Sequence, residues 1–317
     1  MANSGILNKI FALSPIVEIV GRRLYWNNIG ALATMARTKK GSSANENTSA
    51  GFGKIEQHLS SWGLRKGELL LVHSAYAPLQ CTGLEPNEIL GRLLEMVGSA
   101  GTLAMPAIPV FRNSPKKADY LEEPDPDKVF VYDVQKSPIQ TGVLPKLLAK
   151  KDGAIRSRHP INTMVAVGPL AANLVEDNLL GKSPLACGVT SSWKKCVDAD
   201  AVVVGLGTDL THSLTMIHVA EDMLDESWPI QPWYAEKKFV IKDREFHREV
   251  TLRERLPKWG ALHFGERTLC KDLIKSGILT TAIIDGVLVE VLRARELVDF
   301  LNSKNAKGYP YFWTKWN

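Results

Sequence analysis

The stretch VVVGLGTDLTHSLTMIHVAED, residues 202–222, decides the fold. Val202 to Val204 form an apolar run short enough for a buried strand, here taken as 201–204. Gly205 and Gly207 then open a turn, a polar loop follows, and helical spacing sets in over 214–224. In open α/β sheets, sites form on loops at the carboxyl ends of strands, which is where this loop falls. Gly205 and Gly207 give G-x-G, but Leu210 stands where a dinucleotide fingerprint needs its third glycine, so that reading is rejected.

Working outward, the same alternation recurs. Strands are expected at 69–73, 102–105 and 163–167, and helices at 54–62, 86–97, 141–151 and 169–177. Further strands fall near 238–242 and 247–252, with helices at 267–276 and 293–302. Asp285-Gly286 between apolar runs at 281–285 and 287–291 marks a hairpin. Residues 111–140, rich in Pro, Asp and Lys, read as one long irregular segment. The fold class is therefore α/β. The pattern describes a layered α/β/α domain with a mixed, largely parallel central sheet plus antiparallel additions, and no internal repeat.

The composition of the 317 residues, 45% hydrophobic and 23% charged, excludes collagen-like, disordered and coiled-coil classes. No apolar run approaches the roughly 20 residues that span a bilayer. Cys81, Cys187, Cys196 and Cys270 form no C-x-x-C pair, which fits a reducing cytoplasm better than a disulfide scaffold or a zinc site. The net charge of +5 is concentrated in residues 1–50, where six Lys and Arg face two acids. The remainder carries +1 and has no footprint for nucleic acid. Residues 1–50 read as a leader arm and linker, 51–307 as the body, and 308–317 as an aromatic tail. The leader either lies on a membrane face or packs on its own domain or a twin subunit; the packed reading is favoured. The tail, with five of 24 aromatics, has the same alternatives.

Four segments could carry chemistry. His218 and Glu221 are three residues apart, so they share a helix face, and Thr215 shares that side. A carboxylate fixes an imidazole's tautomer and stabilises its cation, which makes a general base near neutral pH. The plainer alternative is a surface ion pair. Asp209 and His212 add polar groups on the same loop, though the spacing of His212 and His218 matches no helix-borne zinc motif. His73-Ser74 end a buried strand, as ligand donors or as packing. Thr141-Gly142 precede a helix, as an anion site or a simple cap. Arg156, Ser157, Arg158 and His159 cluster before Pro160, as an anion site or a solvated loop.

Taken in order, these segments resemble the aminoglycoside 3-N-acetyltransferase family. The resemblance rests on Val72-His73-Ser74-Ala75-Tyr76, Gly101-Thr102-Leu103-Ala104-Met105-Pro106, and Tyr132-Asp133 through Ser137-Pro138 to Thr141-Gly142-Val143-Leu144-Pro145. Arg156-Ser157-Arg158-His159-Pro160 and Val204-Gly205-Leu206-Gly207 leading to Thr215-Met216-Ile217-His218-Val219-Ala220-Glu221 complete it. The match covers roughly residues 53–300. It departs at Ala75, at Lys146, in the long loop from Asp209 to Thr215, and in the leader and tail.

The resemblance implies transfer of an acetyl group from acetyl-CoA, as co-substrate and without a metal, to a sugar amine by direct attack. His218 would be the base held by Glu221, with Thr215 near the oxyanion. His73, Ser74, Thr141 and Gly142 would contact coenzyme A, with Ser157 and His159 lining the same cleft. Asp209, His212 and Tyr76 would face the acceptor. No cysteine falls in these motifs, so a covalent acyl-cysteine route is discounted. The acceptor is either an aminoglycoside drug or another amino sugar, such as one of a cell-surface polysaccharide. The near-neutral body tips the expectation to the latter. A non-catalytic relative that binds coenzyme A or sugar is the third reading, and retention of His218 and Glu221 argues against it.

Overall fold

The computed structural model describes residues 10–27, 51–111, 121–122, 124–182 and 184–313. The expected linker at 38–50 and Trp316 of the tail lie outside the described residues. Ten strands are described: β1 Leu69–Ser74, β2 Thr102–Pro106, β3 Val129–Asp133, β4 Ile155–Arg156, β5 Met164–Val167, β6 Val202–Leu206, β7 Tyr234–Asp243, β8 Phe246–Arg255, β9 Thr280–Ile284 and β10 Val287–Arg293. The helices that matter here are α1 Pro15–Asn27, α2 Phe52–Ser61, α3 Pro86–Val97, α4 Val143–Leu148, α5 Ser192–Asp198, α6 Val219–Asp222, α7 Pro257–Leu262, α8 Glu266–Lys275 and α9 Ala294–Asn305.

Seven strands form one sheet in the order β4-β5-β2-β1-β6-β10-β9. The centre, β2-β1-β6, is parallel, and both flanks are antiparallel. The sheet is mixed as expected, but its parallel character is confined to that centre. The outer pairs β4–β5 and β9–β10 are short antiparallel returns, whereas β2–β5 and β6–β10 pair antiparallel across long intervening stretches. The β9–β10 hairpin turns at Asp285-Gly286, both with positive φ, as its sequence demands.

Side-chain alternation puts the two faces of β1 in different cores. Leu70 and Val72 pack with Ile55 and Leu59 of α2, Ile89 and Leu93 of α3, and Leu144 and Leu148 of α4. Leu69 and Leu71 pack on the other side with Trp193 of α5, Leu273 of α8 and Leu297 of α9. A second sheet, β3-β7-β8, buries Phe130, Tyr132, Phe239 and Leu252 in that latter core. Strand β3 corrects the irregular reading of 111–140: Phe130 and Tyr132 are buried while Val129 and Val131 face out.

The described part of the leader is not separate from the body. Pro15 opens α1, a first-turn place where its missing N–H costs nothing. The helix lies against α7 and α8. Its Glu18 is fully buried, paired with Arg22 at 3.0 Å and Arg267 at 2.9 Å. In the tail, Tyr311 donates to Asp272, and Tyr309 and Phe312 meet Trp228 edge-on. Among the described residues, no helix is long and apolar enough to cross a membrane.

Candidate active site

The parallel centre of the sheet builds the site. His73 and Ser74 at the end of β1 stand beside Gly205 and Leu206 of β6. The chain then turns at Gly207, φ +66°, where a Cβ would meet the Ala75 carbonyl oxygen at 2.7 Å. Only glycine fits both the backbone angle and that approach. Beyond the turn, buried Glu290 of β10 accepts the Leu210 N–H at 2.8 Å and the Thr281 hydroxyl at 3.0 Å. Asp209 accepts the Thr211 N–H at 2.7 Å, so its carboxylate caps the loop. The helix expected over 214–224 is shorter: a 3-10 turn spans Thr215–His218, and α6 continues it for four residues.

His218 Nδ1 and Glu221 Oε2 are 2.9 Å apart, with Glu221 almost fully buried. The carboxylate assigns the proton to Nδ1, which leaves Nε2 as the basic nitrogen. His218 lines two cavities at once. The larger, about 440 Å³, has Phe111, Phe130 and Phe239 on its apolar side and Asp222, Lys237 and Arg253 on its polar side. The smaller, about 320 Å³, is walled by Thr215, His212 and Glu266, and by Arg22 and Trp26 of α1. Arg255 and Pro257 line both. A base between two chambers can take a proton from a group in one while that group attacks a partner in the other.

Asp222 sits behind the pair and accepts the Cys187 N–H at 2.9 Å and the Tyr234 hydroxyl at 2.9 Å. Burial first, and the Glu221 charge second, push its carboxyl up to about 6. Cys187 is buried, and burial and the Asp222 charge raise its thiol well above its ordinary value. It is no nucleophile.

The structure does not bring every expected residue to these cavities. Of these, His212 does reach the smaller cavity, but its ring nitrogens are taken up there, Nδ1 2.8 Å from Glu266 Oε2 and Nε2 3.2 Å from Arg267. His73 is fully buried beside Trp193, ring centroids 6.1 Å apart, and burial lowers its imidazole to about 4. His159 contacts the carbonyls of Ile161 and Pro184 through its two ring nitrogens. Ser157 donates to Asn178 and accepts the His159 N–H. Both are buried, so together they pin the loop before β5. Thr141 donates to the Pro106 carbonyl at 2.5 Å, and the adjoining Gln140 lines the larger cavity. Gly142, φ +115°, passes so near Ser74 that a Cβ would stand 3.5 Å from its carbonyl oxygen. Tyr76 donates to Leu84 and is not among the residues lining either cavity. A larger cavity of about 560 Å³ holds Arg156 and Arg158 but not His218.

Sequence reasoning missed Arg22, Trp26, Tyr234, Lys237, Arg253 and Arg255. All are brought in by α1 or the β7–β8 ribbon, far from the motifs. The strands of the ribbon were expected near 238–242 and 247–252, but nothing in the local sequence FHREVTLRER marks it as a wall of these cavities.

Comparison with known proteins follows the same lines. The family model described as aminoglycoside 3-N-acetyltransferase matches residues 71–304. Aminoglycoside N(3)-acetyltransferase IX of Micromonospora chalcea is 29% identical over 185 residues, covering 54% of this chain and 62% of that protein. Aminoglycoside N(3)-acetyltransferase III of Serratia marcescens is 32% identical over 173 residues, covering 53% and 62%. The chain thus matches less than two thirds of the length of these two relatives. For aminoglycoside N(3)-acetyltransferase VII of Streptomyces paromomycinus the figures are 26% over 263 residues, 78% and 88%. Among solved structures, AAC-IIIb in binary complex with CoASH has a TM-score of 0.63 at 23% identity, covering 81% of this chain and 97% of that one. Aminoglycoside acetyltransferase AAC(3)-Xa has a TM-score of 0.66 at 19% identity, covering 82% and 94%.

Proposed function

The chain belongs to the aminoglycoside 3-N-acetyltransferase family, and from that premise we propose that it moves an acetyl group from acetyl-CoA to an amine of an amino sugar. The observation that carries the reading is His218, held by Glu221 and lining both cavities. Acetyl-CoA supplies the thioester. A sugar ammonium is not nucleophilic, so it first releases one proton to solvent; as the resulting amine attacks, His218 Nε2 takes the second proton from the nitrogen, and Glu221 stabilises the imidazolium. In that attack on the thioester carbonyl an N–C bond forms and a tetrahedral oxyanion develops. The C–S bond then breaks, and the thiolate of coenzyme A takes the proton from His218. Direct attack agrees with the inert Cys187.

The apolar wall of Phe111, Phe130 and Phe239 suits the acyl and pantetheine arm, beside a wall supported by Thr141. Ser74 and Gly142, which approach each other at the end of β1, are proposed to flank its path. Thr215 is the proposed side-chain donor to the oxyanion, since its hydroxyl has only a long 3.4 Å contact with the Ser213 carbonyl. His73, Ser157 and His159 support this region from behind. The smaller chamber, with Asp209 and His212 on the loop beside it, is the proposed acceptor side. The reaction is proposed to run in the cytoplasm, where acetyl-CoA is made available.

The relatives' names give aminoglycosides as acceptors, so an aminoglycoside is the first amine to test, ahead of the cell-surface amino sugar. The test is coenzyme A release from acetyl-CoA in the presence of gentamicin or glucosamine. Turnover of at least one amine, abolished in His218→Ala, is expected. Acetyl-CoA binding without turnover of any amine would sink the proposal.

A further inference from the structure

Arg255 ends β8 opposite Tyr234, and its side chain borders both chambers that His218 borders. Other charged groups there are matched. Lys237 pairs with Glu254, Arg253 grips Asp225 through two nitrogens, and Arg22 pairs with Glu18 and Glu266. Asp222 is engaged by Cys187 and Tyr234. The Arg255 guanidinium forms no hydrogen bond or ion pair with any described residue, although its Nη1 is buried. Gly260 leaves room for it: a Cβ there would stand 3.3 Å from Nη2 and 3.5 Å from Nη1. A guanidinium with one buried, unmatched nitrogen is costly to a fold unless something completes it.

We infer that Arg255 completes its pairing with an oxyanion on the acceptor, so that the amino sugar taken here carries a phosphate or carboxylate next to its amine. The inference rests on the acetyl-transfer reading and narrows its acceptor. The planar fork of a guanidinium fits either oxyanion with two parallel hydrogen bonds. The anion belongs to the acceptor and not to coenzyme A. The phosphates of coenzyme A are separated from its thioester by the whole pantetheine arm, whereas Arg255 flanks the same chambers as the base. A polycationic acceptor would face like charge at Arg255. An anion on the acceptor turns that repulsion to attraction and fixes which amine reaches His218.

The test is calorimetric titration of the full chain with glucosamine 1-phosphate, glucosamine, gentamicin and acetyl-CoA. The unmodified protein should bind the sugar phosphate about tenfold or more tightly than glucosamine, and Arg255→Gln should erase that preference. Acetyl-CoA affinity should change by less than about threefold in the same variant. Should Arg255→Gln not fold, Arg255→Lys keeps the charge without the fork and is expected to cut the preference about threefold or more. Equal binding of phosphorylated and plain sugar, tighter binding of gentamicin, or an unchanged preference in the folded variant would overturn the inference. So would a loss confined to acetyl-CoA. Binding is read without turnover. Failure of acetyl transfer therefore shows separately, as absent coenzyme A release with every amine.

Discussion

His73 lies near the carboxyl end of β1 and His218 on the 3-10 turn that follows the neighbouring parallel strand β6, and their surroundings divide them. His73 continues the face of Leu69 and Leu71, lies against Trp193, and has no hydrogen-bond partner for its buried Nε2. His218 has a carboxylate on one nitrogen and open chambers on the other side. One imidazole is held neutral by burial and acts as a packing element. The other is supplied with what a proton carrier needs. Being at or after the carboxyl end of a central strand does not distinguish them; the neighbour on the ring nitrogen does.

The sharpest attempt to break this contrast is to exchange the losses. His218→Ala is expected to lower kcat by about 10²-fold or more with acetyl-CoA binding retained, the size typical of losing a general base. His73→Leu should keep kcat within about threefold, since it replaces packing with packing. Steady-state kinetics on both variants decides; equal losses would erase the distinction.

Acid stability is the next test. Because burial lowers His73 to about 4, the unfolded chain takes up this proton first as pH falls below its ordinary value near 6.5. The stability it contributes is whole above about 6.5 and is lost as pH falls towards 4, up to about 3 kcal/mol. His159, also lowered by burial, adds in the same direction. Asp222 works oppositely: with its carboxyl pushed up to about 6, the folded state holds a proton that the unfolded chain has released. Its penalty is full above about 6 and relieved as pH falls towards 4. Melting temperatures between pH 4 and 8 should therefore flatten in His73→Leu and steepen towards acid in Asp222→Asn.

Smaller effects separate the partners of His218. Glu221→Gln keeps an acceptor for Nδ1–H but removes the charge, and about a tenfold loss in kcat is expected. Glu18→Gln loosens Arg22 and Arg267 beside the smaller chamber. A rise of about two- to fivefold in the acceptor KM, with that for acetyl-CoA unmoved, would locate the acceptor there.

What could be read from the chain follows from range. His218 and Glu221 were legible because three residues of helical or 3-10 backbone fix their proximity. The strand–turn–helix units of the parallel centre were legible for the same reason. The antiparallel flanks were not, since register between β2 and β5 or β6 and β10 depends on partners far along the chain. Strand β3 was hidden because the Pro and Asp around VFVYD outweighed its alternation. Arg255 was invisible because nothing local marks the end of β8 as the border of two chambers.

The ring of contacts from Glu18 through Arg22, Glu266, His212 and Arg267 has one more consequence. It hands part of a wall around His218, the proposed base, to a helix about 190 residues distant along the polypeptide. On the proposed reading, acceptor recognition and proton transfer are thereby written in separate stretches of the gene. Exchanging the first twenty-seven residues could retune which amines are admitted while the proton-handling apparatus is inherited untouched.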